Sequence, residues 1–159
     1  MGFCSFEMEG VNMKKIQIDH IGIAVKEIES AMNIFTKYFA GTIGEREVYA
    51  NFGLVSQMLN FNNAGLEIME PMDENGLIGK FIKNYGEGLH HISIRVENIV
   101  EEIACLSKDG YKPIGEPIHI HRGNSPEKVV FLNPKQFNGI LIELIEVEQK
   151  PCPSGMVKD

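Results

Sequence analysis

Residues 18–25 read Ile-Asp-His-Ile-Gly-Ile-Ala-Val, and the chain contains a second run of the same kind. That second run is His90-His91-Ile92-Ser93-Ile94-Arg95-Val96, in which His91 aligns with His20 at an offset of 71 residues. Apolar side chains alternate with small or polar ones, which is typical of half-buried strands. The sequence therefore carries an internal repeat, with one histidine near the start of each repeated strand.

A second pair of similar runs lies near the end of each repeat. Leu66-Glu67-Ile68-Met69-Glu70-Pro71 resembles Leu141-Ile142-Glu143-Leu144-Ile145-Glu146, with Glu67 aligned with Glu143 at an offset of 76 residues. A lone strand histidine is usually structural and a lone strand glutamate usually faces solvent. Matched positions in both halves favour a shared role, because a carboxylate buried among apolar residues requires a cation or strong hydrogen-bond donors.

Two imidazoles and two carboxylates form a mixed nitrogen and oxygen donor set. Such a set suits one divalent ion of Co, Zn, Ni, Mn or Fe and leaves one or two coordination positions for a substrate. The spacing alone does not choose among these metals. The duplication thus predicts a metal site formed by His20, Glu67, His91 and Glu143.

The hydrophobic periodicity predicts the same order of elements twice, a strand, a helix and three strands. In the first repeat these are strand 16–25, helix 28–39, and strands 46–51, 53–61 and 65–71; in the second they are strand 90–96, helix 99–108, and strands 117–121, 128–132 and 139–148. Modules of about 60 residues are too small to be stable separately, so their sheets must join. We predict an α+β fold in which two βαβββ modules in tandem form a shared metal-binding cleft, within one chain or across a dimer.

The domain boundaries follow from the same pattern. We expect an N-terminal arm (1–15), a single domain (16–147) and a C-terminal tail (148–159). The domain consists of two modules, 16–72 and 89–147, which are joined by a connector (73–88) that contains a short helix.

The composition restricts the partners. A net charge of −7 argues against binding to nucleic acid or to an anionic membrane, which both require clustered Lys and Arg. Cys4, Cys105 and Cys152 are odd in number and widely spaced, so no disulfide framework is indicated and a reducing cytoplasm is the expected location. We expect neither a signal peptide nor a membrane span in the N-terminal residues, which lack a long apolar run.

The motifs resemble those of the vicinal oxygen chelate superfamily, and within it most closely the methylmalonyl-CoA epimerase family. The resemblance spans about residues 16–147, and its most specific part is Gly86-Glu87-Gly88-Leu89-His90-His91-Ile92. It implies that the four residues above bind the metal and that the substrate is the CoA thioester of a 2-substituted malonate, such as methylmalonyl-CoA. It further implies an epimerase that acts as a homodimer, by proton abstraction and a metal-stabilised enolate.

Inversion at one carbon requires two acid-base groups or one mobile group. Glu143 is one candidate. Some epimerases carry an acidic residue near positions 53–57, whereas this chain has Gly53-Leu54-Val55-Ser56-Gln57, and Ser56 and Gln57 are poor bases. We therefore treat both as substrate contacts only.

Four further residues are candidate substrate contacts, because they lie where the chain departs from the epimerase pattern or carry charge at a strand end: His121, Arg122, Lys128 and Lys135. His121 could instead be a replacement acid-base group, and strand-end lysines are commonly just solvated. We expect His90 to point to the opposite strand face from His91 and to be structural.

Three other functions fit parts of the pattern. A glyoxalase I-type lyase, which acts on a thiol hemithioacetal, also resembles this chain in its ligand order of His, Glu, His and Glu. An extradiol-type dioxygenase needs only two histidines and one carboxylate on iron, so Glu67 counts against it. A non-catalytic small-molecule-binding member of the superfamily needs no metal set, so the intact donors favour catalysis.

Overall fold

The computed structural model describes residues 17–147. They form one eight-stranded sheet and three α-helices. In chain order the elements are β1 (Gln17–Ala24), α1 (Ile28–Tyr38), β2 (Thr42–Tyr49), β3 (Leu54–Asn60), β4 (Gly65–Pro71), α2 (Leu77–Tyr85), β5 (Gly88–Arg95), α3 (Ile99–Lys108), β6 (Pro113–Arg122), β7 (Ser125–Leu132) and β8 (Ile142–Val147). Short 3-10 turns follow β2 at Ala50–Phe52 and β7 at Pro134–Gln136.

The two modules join along their first strands. The sheet order is β2-β3-β4-β1-β5-β8-β7-β6, in which β1 and β5 pair antiparallel at the centre. Each of these strands also pairs in parallel with the last strand of its own module, β1 with β4 and β5 with β8. The order β4-β1-β5-β8 therefore places the four predicted metal ligands on adjacent strands of one chain.

Each module buries its helix against its own strands. Ile28 and Met32 of α1 pack with Leu59 and Ile68 in the first module. In the second module, Ile99 of α3 joins a separate cluster of Val96, Val130, Leu132 and Leu144. These two helices thus cover one face of the sheet, whereas α2 packs on the other face against Ala24, Leu54 and Met69 and borders the space left for a site.

The predicted α+β fold of two βαβββ modules is confirmed. The bounds of α3 match the prediction, and α2 is the short helix expected in the connector. β2 begins at Thr42 and β6 at Pro113, four residues earlier than predicted in both cases. Both strands contain a register shift in this early part, which breaks the alternation on which the prediction relied. β8 begins three residues later than predicted, at Ile142.

Three sequence expectations concern features beyond the sheet. The predicted arm and tail lie outside the described residues. Cys105 is disulfide-bonded, which the odd cysteine count did not lead us to expect; Cys4 and Cys152 lie outside the described residues. Within residues 17–147, no helix is long and apolar enough to cross a membrane.

Candidate active site

The sheet brings His20, Glu67, His91 and Glu143 together. The two histidine Nε2 atoms are 3.1 Å apart. From His20 Nε2, the nearest carboxylate oxygens of Glu67 and Glu143 lie at 3.5 and 3.4 Å, and from His91 Nε2 both lie at 3.8 Å. Ligand atoms about 2.1 Å from one ion would be about 3.0 Å apart at a right angle and about 3.4 Å apart in a tetrahedron. The spacings are therefore close to those of a coordination sphere.

The chemistry of these donors also fits a cation. The Oε2 atom of Glu143 is buried and has no hydrogen-bond partner among the described residues. Burial raises the pKa of Glu143 to about 7 and lowers the pKa of His91 to about 3. A buried carboxylate without a donor is unfavourable, and a divalent ion would remove that penalty. His20, Glu67 and His91 form a group whose ligand atoms could hold one ion, and Glu143 adds a fourth donor beside them.

The outer nitrogen of His20 is held by Asp19. His20 Nδ1 lies 2.9 Å from the Oδ1 atom of Asp19. The same carboxylate accepts hydrogen bonds from Arg122 Nη1 at 2.9 Å and from Arg95 Nε at 2.7 Å. Burial alone would raise the pKa of Asp19, but the hydrogen bonds with His20 and Arg122 bring it well below its usual value. A charged Asp19 favours the tautomer of His20 that carries its proton on Nδ1, which leaves Nε2 available to a metal.

Electrostatics couples His20 to Glu67. Burial would lower the pKa of His20, but hydrogen bonds to Asp19 and Glu67 raise it to about 9. Burial would likewise raise the pKa of Glu67, yet the hydrogen bond with His20 lowers it to about 2. His20 and Glu67 thus each stabilise the charged form of the other.

Small residues and strand irregularities position the second histidine. Gly22 pairs with His91 in the sheet, and a Cβ atom on Gly22 would overlap the imidazole ring of His91. The register between β1 and β5 then shifts, so that Ile23 pairs with Leu89 and His90 is the extra residue. The expectation that His90 points away is wrong, because at this irregularity His90 lines the same cavity as His91 and its Nδ1 lies 3.0 Å from the Nδ1 of His91.

A cavity of about 250 Å³ opens over the donor set. Besides the four donors, its lining consists mainly of apolar and aromatic side chains, together with Tyr49, His90 and Arg122. The apolar members are Phe52, Leu54, Met69, Leu77, Ile118, Ile120, Val129 and Phe131. An apolar pocket with a few convergent polar groups is the usual form of a small-molecule site.

The structure places only one of the six candidate substrate contacts in this cavity. Arg122 lines it, but its guanidinium already bonds to Asp19 and lies 3.4 Å from Glu127 Oε2. Ser56 and Gln57 are buried in β3 outside the lining, and the amide of Gln57 donates to the carbonyl of Gly44. The other three side chains also lie outside the lining: His121 and Lys135 are exposed, and Lys128 pairs with Glu146 at 3.3 Å.

Sequence reasoning did not select Asp19 or Tyr49. Asp19 directly precedes His20, and regular alternation would place it on the other face of the strand; the register shift between Ile18 and His20 breaks that alternation. Tyr49 ends β2, and it enters the cavity because the sheet curls until its hydroxyl donates to the carbonyl of His121 on β6, at 3.3 Å. The acid next to His20 was an available signal for Asp19, whereas nothing local in the sequence marks Tyr49.

Comparison with known proteins agrees with this geometry. Residues 19–131 match the model of a family described as the glyoxalase/bleomycin resistance protein/dioxygenase superfamily. The chain belongs to this superfamily. The matched part includes His20, Glu67 and His91 and ends before Glu143.

Several members of the superfamily that resemble the chain are epimerases. The chain is 30% identical to the mitochondrial methylmalonyl-CoA epimerase of Homo sapiens over 129 residues, which are 80% of this chain and 72% of that one. It is 31% identical to an ethylmalonyl-CoA/methylmalonyl-CoA epimerase of Cereibacter sphaeroides over 134 residues, which are 82% of this chain and 98% of that one. A methylmalonyl-CoA epimerase variant of Streptomyces coelicolor, solved with 2-nitronate-propionyl-CoA, superposes with a TM-score of 0.75 at 28% identity and covers 84% of this chain and 98% of that one.

Proposed function

We propose that this chain is an epimerase of a 2-substituted malonyl-CoA thioester such as methylmalonyl-CoA, with a divalent metal held by His20, Glu67, His91 and Glu143. The observation that carries the proposal is the convergence of these four donors in one apolar cavity, with Glu143 Oε2 buried and without a hydrogen-bond partner among the described residues. The similarity to methylmalonyl-CoA epimerases supports the choice of substrate.

The reaction depends on an acidic carbon. A hydrogen on the carbon between a thioester and a carboxylate can be removed as a proton, provided that the negative charge left on the oxygens is stabilised. A bound divalent cation would supply Lewis-acid stabilisation of that charge. Glu143 is the group that we assign to take the proton, because its carboxylate lines the cavity and burial raises its pKa to about 7, which suits a general base at neutral pH.

Other residues of the cavity support this role. Asp19 fixes the ring of His20 through Nδ1, and Gly22 leaves space for the ring of His91. The apolar wall formed by Phe52, Leu54 and their neighbours excludes water, so that charges in the cavity interact more strongly than in bulk solvent. These residues thus orient the donors and protect the reactive carbon.

A glyoxalase I-type lyase is the second candidate. It is favoured by one observation: both carboxylates, Glu67 and Glu143, lie beside the two histidine Nε2 atoms, which is the full ligand set that this resemblance implies. Two carboxylates beside both histidines leave fewer open positions than a dioxygenase requires, and a merely binding member of the superfamily would not need them.

Deuterium incorporation tests the proposal. Metal-loaded protein is incubated with methylmalonyl-CoA in D₂O, and the thioester is analysed by mass spectrometry. We expect one metal ion per chain by elemental analysis and rapid incorporation of one deuteron at the 2-position. We further expect loss of incorporation after chelation and recovery when the metal is restored.

Two variants sharpen this test. Glu143→Gln should slow incorporation by at least about 10³-fold, within the range that general acid-base groups and metal ligands contribute. Glu74→Gln, an exposed residue outside the cavity, should behave as the unsubstituted chain. If fully metallated protein shows no incorporation, the epimerase proposal fails, and conversion of methylglyoxal with a panel of thiols would then support the lyase.

The homodimer expected from the resemblance and the cytoplasmic location expected from the cysteines stay predictions. The four proposed donors all lie on adjacent strands of one chain, so the proposed metal site does not require donors from a second copy.

A further inference from the structure

Epimerisation requires a proton to leave one face of the reactive carbon and another to arrive on the opposite face. Glu143 can exchange a proton with one face of this carbon, and a second group is needed to exchange a proton with the other face. This inference rests on the proposed function and concerns the second group.

The cavity contains few candidates. Among the described residues of its lining, three titratable side chains lie outside the metal donor set: Tyr49, His90 and Arg122. His90 is engaged with a metal ligand, because its Nδ1 lies 3.0 Å from the Nδ1 of His91. Arg122 is permanently protonated and bonds to Asp19, so it cannot exchange a proton with a carbon. Tyr49 is the remaining proton donor.

Tyr49 reaches the cavity from a different direction than Glu143. Tyr49 lies on β2, at one edge of the sheet, whereas Glu143 lies on β8, beyond the central pair of strands. The sheet curls so that the hydroxyl of Tyr49 contacts the carbonyl of His121 on β6, at the other edge. A substrate that occupies the cavity therefore meets Glu143 and Tyr49 from two separate strands that are not neighbours.

The hydroxyl of Tyr49 is held in place but only weakly engaged. Its ring packs beside Phe52, with 6.4 Å between ring centroids, and against the apolar cluster that includes Leu54 and Met69. The bond to the carbonyl of His121 measures 3.3 Å, which is long compared with the usual 2.7–2.8 Å of an O–H···O bond. Burial raises the pKa of Tyr49 above its usual value, so the phenol is protonated at neutral pH and its proton is available.

We propose that Tyr49 is the catalytic residue that exchanges a proton with the face of the reactive carbon opposite Glu143. In one direction the C–H bond breaks and its proton passes to the carboxylate of Glu143, while the electron pair delocalises onto the thioester and carboxylate oxygens. The O–H bond of Tyr49 then breaks as a new C–H bond forms on the other face. The carboxyl of Glu143 and the phenolate of Tyr49 return to their starting forms by proton exchange with solvent, so that no redox partner is required.

Tyr49→Phe tests this assignment, with Tyr85→Phe as a matched control on the exposed side of α2. Each variant is incubated in D₂O with each single epimer of methylmalonyl-CoA, and inversion and deuterium incorporation are measured separately. For Tyr49→Phe we expect inversion to fall at least about 10²-fold. One epimer should still gain deuterium with retention of configuration, because Glu143 can remove and return a proton on its own face. Tyr85→Phe should match the unsubstituted chain.

A structural role would give a different pattern. If Tyr49→Phe inverts both epimers at the unsubstituted rate, or keeps its metal and its fold but loses inversion and incorporation equally for both epimers, Tyr49 is not the second acid-base group. Metal content and thermal unfolding of Tyr49→Phe, compared with those of Tyr85→Phe, show whether an equal loss results from damage to the fold. If the fold is damaged, the test is repeated with 3-fluorotyrosine at position 49 in place of phenylalanine. Fluorination should then shift the alkaline limit of inversion towards lower pH, and an unshifted limit would overturn the assignment. Absence of incorporation in the unsubstituted chain would instead reject the parent function.

Discussion

Asp19 connects three strands at the level of single side chains. It lies on β1, accepts hydrogen bonds from Arg95 on β5 and Arg122 on β6, and bonds to the outer nitrogen of its own neighbour, His20. Its side chain is 4% exposed, so water does little to weaken these contacts. Hydrogen-bonded carboxylates behind metal-binding histidines commonly fix the ring and raise its basicity.

We predict that Asp19→Asn weakens metal binding without unfolding the chain. The amide keeps an oxygen acceptor for His20 but lacks the charge that favours a proton on Nδ1. Loss of such an outer contact typically costs 10- to 100-fold in metal affinity, so we expect a reduction of roughly that size. Competition against a chromophoric chelator measures it directly, independent of any enzymatic activity.

Asp109→Asn is the matched control, because Asp109 is exposed at the end of α3. Equal metal affinity in Asp19→Asn and Asp109→Asn would show that Asp19 does not position His20. Circular dichroism of both proteins distinguishes a local loss of affinity from a general loss of structure.

The sequence could predict the grouping of the four donors because each half of the repeat carries one histidine and one glutamate at matched positions. It could not predict the surroundings of these donors, because strict alternation fails where the register shifts. Asp19 and His90 both lie at shifts in the pairing of β1 with β5; Asp19 was not selected from the sequence, and His90 was expected to point away from His91. A bulge depends on the partner strand, which a local pattern does not reveal.

The repeat also extends to the way in which two helices begin. The backbone N–H of Ile28, the first residue of α1, donates to Glu70 Oε2 at 2.7 Å. The N–H of Ile99, the first residue of α3, donates to Glu146 Oε2 at 2.8 Å. The two glutamates are 76 positions apart, like Glu67 and Glu143, so the strand that carries a proposed metal ligand also supplies a helix cap three residues later.

We predict that Glu70→Ala destabilises the chain more than Glu146→Ala. α1 has no capping side chain at Glu27, whereas α3 has Asn98, which accepts from two further backbone N–H groups. Loss of a capping acceptor typically costs about 0.5–2 kcal/mol, and a negative charge at a helix N-terminus contributes further. We expect Glu70→Ala to lie near the upper end of that range in urea unfolding.

Glu74→Ala serves as the control, since Glu74 is exposed and lies outside both caps. If Glu70→Ala unfolds at the same urea concentration as Glu74→Ala, the bond to Ile28 contributes nothing. The sequence contained this signal, because Glu70 and Glu146 are part of the repeated runs. The capping role of these two glutamates was not predicted, because helix caps are usually sought in the residues directly before a helix.

At the scale of the whole molecule, the two edges of the sheet meet and enclose the cavity. β2 and β6 are at opposite ends of the strand order, yet several contacts link the first module to the hairpin of β6 and β7. Glu47 Oε1 accepts from the N–H of Gly123 at 2.7 Å, Tyr49 bonds to His121, and Asp19 bonds to Arg122. The cavity therefore has a closed side that neither module could form alone.

This closure is the part of the architecture that the sequence could not predict. The contacts join residues 72 to 103 positions apart, and they involve polar groups in a region where no periodic pattern leads to a partner. His121 and Arg122, which the sequence marked as candidate substrate contacts, lie in this region. Their contacts are visible only when the hairpin lies against β2.

The last prediction concerns the strength of this closure. Glu47→Ala removes the acceptor of Gly123 N–H, and a hydrogen bond to a charged group contributes about 1.5–3 kcal/mol. We expect the hairpin to open more often, so that deuterium uptake in peptides of residues 113–132 quickens by roughly 10-fold or more, because each 1.4 kcal/mol changes an opening equilibrium about tenfold. Glu74→Ala, which removes an exposed carboxylate outside both β2 and the hairpin, is the control and should leave uptake unchanged. Faster uptake in both variants would mean that the loss of a negative charge matters rather than the bond to Gly123. Unchanged uptake in both would mean that the contacts of Tyr49 with His121 and of Asp19 with Arg122 are enough to hold the hairpin closed over the cavity.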